Sequence, residues 1–162
     1  MGKITAFKTP SRAGDTPVEE SRPISILVVD DEEDLVALLT REIRSLHHRV
    51  AGKARNGQQA VELARKLRPD LIIMDIGMPV MDGIDATHAI QQTQKMPIVI
   101  STGSSDELTL GRLKNLTIGG YLVKPFSPAQ LKVVLHLAMS SHVPESESAE
   151  FEPPAARGAG LN

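Results

Sequence analysis

The chain contains no cysteine. Disulfides, thiol chemistry and Cys-based zinc sites are therefore excluded. It also lacks tryptophan and has one tyrosine and three phenylalanines, yet 41% of its 162 residues are hydrophobic. The core must then be built from Val, Ile, Leu, Ala and Met. No apolar run approaches the roughly 18 residues of a membrane helix, and the polar N-terminus lacks the apolar stretch of a signal peptide. Met1-Gly2 opens like a myristoylation site, but Ala6 stands where Ser or Thr is required. The formal net charge is −2, so no excess of positive charge directs the chain to DNA or to an anionic membrane. A soluble, cytoplasmic protein is the expectation.

The length suits one domain. Residues 1–22 hold Pro10, Gly14, Pro17 and mixed charges, without a periodic apolar pattern. Residues 141–162 scatter Glu145, Glu147, Glu150 and Glu152 among Ser, Pro, Ala and Gly. Such segments bury too little apolar surface to offset their ordering entropy, so both are expected to be disordered tails, the second acidic. The folded unit is expected over 23–140.

Within that unit, apolar runs alternate with helical patterns. Ile24–Val29 is apolar apart from Ser25, and Leu35, Leu38, Leu39, Ile43 and Leu46 then share one helix face. Val50–Ala54 reads as a second strand. Asn56-Gly57 leads into a helix carrying Ala60, Val61, Ala64 and Leu67, which Pro69 ends. Leu71–Met74 is a third strand, followed by a helix after Asp82-Gly83 with Ile84, Ala86 and Ile90 inward. Pro97–Ile100 is a fourth strand, and Ser104 with Glu107 has the capping-box spacing of a fourth helix. Tyr121–Val123 is a fifth strand. Ser127-Pro128-Ala129-Gln130 supplies an N-cap, a Pro at N1 and a Gln at N3 for a fifth helix, which buries Leu131, Val134, Leu135 and Ala138. Five β-α units with near-continuous aliphatic strands imply an α/β fold: a doubly wound, five-stranded parallel sheet.

Ligands of such sheets bind beyond the carboxyl ends of the strands. There stand Asp30 and Asp31, then Asp75, Thr102 and Lys124. Three converging carboxylates repel one another and call for a neutralising cation. Mg²⁺ is hard, takes oxygen ligands and typically uses one or two carboxylates plus a phosphate oxygen. The set reads as a Mg²⁺-assisted phosphoryl-transfer site.

The run from Asp75 through Ile76, Gly77, Met78-Pro79, Val80 and Met81 to Asp82-Gly83 resembles the D-x-x-M-P-x-M-D-G signature of response-regulator receiver domains in two-component signalling. Val28-Val29-Asp30-Asp31 resembles their acidic pair, and Tyr121-Leu122-Val123-Lys124-Pro125-Phe126 their Y-x-x-K-P-F ending. The resemblance spans essentially the whole expected unit. It implies the flavodoxin-like (βα)5 fold with strand order 2-1-3-4-5. It implies that Asp75 accepts a phosphoryl group from the phosphohistidine of a histidine kinase or histidine phosphotransfer protein. Asp31 would hold Mg²⁺ directly, Asp30 mainly through water, and the Gly77 carbonyl would add a ligand. Lys124 would pair with the phosphate and Thr102 donate its hydroxyl to it. Lys124-Pro125 would be cis. Tyr121 would turn inward with Thr102 and remake the surface of helix 4, strand 5 and helix 5, through which an unknown protein target is engaged. The chain would not be a turnover enzyme. Residues 141–162 are too short and polar for a DNA-binding output module, so output would come through protein contacts, or the protein would serve as a phosphate sink or relay.

Bland readings apply elsewhere. Glu32, Glu33 and Asp34 suit a solvated helix start, Asp82 the N-cap of the third helix, and His47, His48, His88, His136 and His142 surface or boundary positions. Ser101–Ser105 looks faintly like a flavin phosphate loop but follows the wrong strand. An aspartyl-nucleophile phosphohydrolase would need a second Asp two residues after Asp75, where Gly77 stands. A phosphorylation-independent binding module is the other alternative.

Four positions depart from the usual pattern or tune it. Gly77 and Ser104 are small, leaving an acyl phosphate on Asp75 open to water. Thr117 replaces a helix-ending Gly, so either Asn115 takes a left-handed conformation earlier or the turn differs. Gly111 is expected to loosen the fourth helix by about 1 kcal/mol relative to Ala.

Overall fold

The computed structural model describes residues 22–103 and 111–141. Five strands form one sheet: β1 (Ser25–Val29), β2 (Arg49–Ala54), β3 (Leu71–Asp75), β4 (Ile98–Thr102) and β5 (Gly120–Val123). All pairings are parallel, in the order β2-β1-β3-β4-β5. The described helices are α1 (Glu33–Ser45), α2 (Gly57–Leu67), α3 (Gly83–Gln91) and α4 (Pro128–Ser140). The last is the fifth helix expected from sequence. Of the expected fourth helix, only Gly111–Leu113 are described. Its capping residues Ser104 and Glu107 lie outside the described residues, as do 1–21 and 142–162 of the expected tails.

Alternation along the strands divides the core into two layers. Leu27, Val29, Ile72, Met74, Ile98 and Ile100 face one side, where they meet Ala60 and Ala64 of α2 and Ala86 and Ile90 of α3. Ile26, Val28, Ile73, Val99 and Leu122 face the other, against Leu39 and Ile43 of α1 and Leu131, Leu135 and Ala138 of α4. β1, β3 and β4 are buried throughout, which is why they read as uninterrupted aliphatic runs. Val36 of α1 also packs on the second layer, and Thr40 is buried because its hydroxyl donates to the Val36 carbonyl at 2.7 Å.

Local chemistry sets the helix boundaries. Asn56 caps α2 by accepting from Gln59 N, and Asp82 caps α3 by accepting from Ile84 N and Asp85 N. Ser127 and Gln130 form a reciprocal capping box on α4, with Pro128 at its first turn. Arg68, just before Pro69, is left-handed at φ 44 and ends α2. At the end of the fourth helix, neither Asn115 nor Thr117 takes a positive φ. The turn differs instead: Leu116 N donates to Leu113 O at 3.0 Å.

Strand ends run slightly longer than the sequence suggests. Asp75 and Thr102 are the last residues of β3 and β4, not residues beyond them. Their backbones are therefore held by the sheet itself, in the ladders that pair Asp75 with Ser101 and Thr102 with Val123.

Candidate functional site

The sheet brings Asp30, Asp31, Asp75 and Lys124 to one rim. Asp30 leaves β1 with 1% of its surface exposed, Asp75 ends β3 with 4% exposed, and Asp31 is exposed. One oxygen from each carboxylate lies within 4.8 Å of the others. Lys124, directly after β5, reaches into the cluster: its Nζ is 2.9 Å from Asp30 Oδ2 and 3.0 Å from Asp75 Oδ1. The Lys124 amide donates to the Thr102 carbonyl at 2.8 Å, tying the lysine to the end of β4. The Lys124-Pro125 bond is cis.

The electrostatics follow from this geometry. Burial pushes the Asp75 carboxyl above the ordinary carboxylate range; Lys124 pulls it down, and the charges of Asp30 and Asp31 push it further up. Burial alone would lower the Lys124 ammonium, but hydrogen bonds and charge from Asp30 and Asp75 outweigh that and hold it well above its usual value. One ammonium against three carboxylates leaves the cluster negative. Asp30 Oδ2 is buried, with the Lys124 ammonium 2.9 Å away. A cluster of three carboxylates with oxygens within 4.8 Å of one another and only one ammonium among them fits a hard divalent cation. A depression of about 410 Å³ opens beside the cluster, lined by Asp30, Asp31, Glu33, Lys53, Arg55 and Gln59. Arg55 pairs there with Glu33.

Gly77 lies two residues past Asp75, exposed. A Cβ built there would sit 3.9 Å from Asp75 Oδ2, so any side chain at this position would stand beside that oxygen. Thr102 is buried at the rim. Tyr121 is half-buried and packs on the layer of α2 and α3. Asp82 is an N-cap, as its spacing implies, and Arg112 binds it at 2.8 Å and Asp85 at 3.0 Å.

Sequence reasoning missed one residue here. Glu32 reads as part of a solvated acidic run, yet its Oε1 is 3.2 Å from Lys124 Nζ, and its amide donates to Asp30 Oδ1 at 2.9 Å. No local pattern marks it, because its partner lies 92 residues away.

A parallel 2-1-3-4-5 sheet with an acidic cluster and a lysine at its carboxyl rim is the receiver-domain form of the flavodoxin-like fold. The chain belongs to the response regulator receiver domain family, whose profile matches residues 26–136. It is 38% identical over 125 residues to the transcriptional regulatory protein PdtaR of Mycobacterium tuberculosis, covering 77% of this chain and 61% of that protein. The chain thus spans less than two thirds of that relative's length. It is 38% identical to the chemotaxis protein CheY of Halobacterium salinarum, covering 62% of this chain and 84% of that one. Among solved structures, the receiver domain of sensor histidine kinase PA1611 from Pseudomonas aeruginosa matches with a TM-score of 0.67 and 30% identity, over 73% of this chain and 98% of that one. That structure has a magnesium ion coordinated in its active-site cleft.

Proposed function

We propose that the chain is a phospho-acceptor receiver that takes a phosphoryl group onto Asp75 from a phosphohistidine on a histidine kinase or histidine phosphotransfer protein. The supporting observation is the meeting of Asp30, Asp31 and Asp75 within 4.8 Å with the Lys124 ammonium among them. A carboxylate oxygen of Asp75 attacks the phosphorus, the P–N bond to the donor imidazole breaks, and an acyl phosphate forms on Asp75. The imidazole leaves and keeps or gains its proton from solvent. Water later attacks the same phosphorus, releasing inorganic phosphate and restoring the carboxylate.

Asp30, Asp31, Asp75 and the Gly77 carbonyl would hold Mg²⁺, which when bound neutralises charge on the phosphoryl oxygens. Lys124 stands 3.0 Å from Asp75 Oδ1 and is placed to follow charge from the carboxylate to the phosphoryl group. Glu32 offers the ammonium a second carboxylate when Asp75 is esterified. Thr102 would donate its hydroxyl to the phosphoryl group, and Tyr121 on the neighbouring strand would respond to its movement. The face changed would be that of the 104–116 segment, β5 and α4, through which a protein target is engaged. The domain is a self-phosphorylating signalling module and not a turnover enzyme, and it works in the cytoplasm with 23–140 as its folded unit.

Intact-protein mass spectrometry after incubation with acetyl phosphate tests this. One phosphoryl adduct is expected, dependent on Mg²⁺ and absent in Asp75→Asn. Absence of any adduct, together with failure to bind beryllofluoride, refutes the reading in favour of a phosphorylation-independent module. Repeated turnover of a phosphate ester refutes it in favour of a hydrolase.

A further inference from the structure

At the opposite end of the sheet, where the strands begin, a groove of about 860 Å³ runs between the start of β1, the end of α1 and the later turns of α4. Its floor includes Ile24, Leu46 and Leu137. Val133 and Leu137, one helical turn apart on α4, are each 55% exposed. Arg22, His48, Lys132 and His136 stand around this apolar strip, and among the described residues no carboxylate lines it. Arg22 also reaches Asp70 at 3.4 Å, an exposed ion pair of a kind that contributes little. The groove is therefore apolar at its base and cationic at its edge.

The chain carries a segment of complementary chemistry. Ser140 at the end of α4 lines the groove. The sequence then continues through Val143 and Pro144 to Glu145, Glu147, Glu150, Phe151 and Glu152, with no Lys or Arg before Arg157. Phe151 is one of three phenylalanines in the protein, set among carboxylates. Phe151 lies ten positions beyond Ser141, a reach of up to roughly 33 Å. The return along α4 from Ser141 to Lys132 is only about 14 Å at the helical rise. The geometry points to docking in cis: we propose that residues 143–152 fold back into this groove, with Phe151 over Val133 and Leu137 and the glutamates against Arg22 and Lys132.

Two other occupants fit less well. A second copy meeting the groove through a two-fold axis would set cationic edge against cationic edge. The N-terminal segment is charge-balanced, with Lys3, Lys8 and Arg12 offset by Asp15, Glu19 and Glu20, and so complements the positive edge less than the acidic run 145–152. The docked segment would cover the α1–α4 side of the domain and leave the acidic rim at the other end open. The inference does not depend on phosphorylation of Asp75.

The absence of native cysteine makes a clean experiment possible. A nitroxide is attached to Ser148→Cys in the full chain, and amide signals are read by ¹⁵N NMR. Ile24, Leu46 and His48 are remote from the label in sequence, and their signals are expected to lose intensity in dilute protein. Adding Phe151→Ala should restore them, as should high salt. Lys132→Glu should weaken the effect and Lys132→Glu with Glu150→Lys should recover part of it. Unbroadened signals at Ile24, Leu46 and His48 overturn the proposal, as does broadening that survives Phe151→Ala. Broadening only between separate labelled and isotope-bearing molecules assigns the groove to a second copy and overturns docking in cis. Broadening from a label at Ser11→Cys, in place of Ser148→Cys, assigns it to the N-terminal segment and overturns it equally.

Discussion

Gly83→Ala is expected to damage both stability and the acceptor site. Gly83 opens α3 directly behind β3, and its amide donates to the Ile76 carbonyl at 3.0 Å. A Cβ at this position would lie 1.9 Å from the Asp75 carbonyl oxygen, 2.8 Å from its carbonyl carbon and 3.0 Å from Met74 Cγ. The first two are backbone atoms of a buried central strand, so no side chain can swing aside. α3 or the end of β3 must move by roughly 1 Å or more before the contact becomes ordinary, and overpacking of this kind costs typically 1–3 kcal/mol. Alanine's better helix propensity returns up to about 1 kcal/mol. With backbone atoms in the way, the cost sits at the upper end of that range, so the net expectation is a loss of about 2 kcal/mol, read as a lower urea midpoint with unchanged slope. Gly111→Ala is the control: a Cβ there meets nothing within 4 Å, and a gain of about 0.5–1 kcal/mol is expected. The reasoning is refuted if Gly83→Ala unfolds within about 0.5 kcal/mol of the parent, since a backbone clash of that size cannot be absorbed so cheaply. Slower acetyl phosphate labelling of Asp75 should accompany the loss, because the displaced atoms are the acceptor's own backbone.

Four further outcomes are expected. Burial raises the Asp75 carboxyl, so its contribution to stability is full below the ordinary carboxylate range and is lost as pH rises through the raised value; without divalent cations, Asp75→Asn should therefore melt higher than the parent at pH 7, with the gap closing below about pH 4. Mg²⁺ at a hundred times its dissociation constant should stabilise the parent by about 2.7 kcal/mol and the variant by much less, and equal stabilisation of both in thermal melts would remove Asp75 from the ligand set. Val80 is 79% exposed yet left-handed at φ 71, an unfavourable conformation for a β-branched residue, so Val80→Gly should stabilise by about 1 kcal/mol in urea titration, and any destabilisation contradicts that assignment of strain. Gly77→Gln should lengthen the lifetime of an Asp75 phosphoryl adduct several-fold by crowding the carboxylate from 3.9 Å away, with an unchanged hydrolysis rate counting against shielding as the control of that step.

The sequence by itself determined the order of the described elements and which residues stand at the rim of the candidate site. Strands buried on both faces appear as unbroken aliphatic runs, caps and prolines act within a few residues, and strand ends are where such sheets place their chemistry. Asp30, Asp31, Asp75, Thr102 and Lys124 were legible for that reason. What only the tertiary structure decided are contacts between residues far apart in the chain. Glu32 reaching Lys124 and Arg112 bridging Asp82 and Asp85 depend on how loops from separate strands lie at one rim. The close approach of Gly83 to Asp75 depends on how α3 sits on β3, and the groove on the distance between α1 and α4. Periodicity says which face of an element is buried. It carries no information about what stands a few ångströms across from that face, because that is set by the packing of all the elements together.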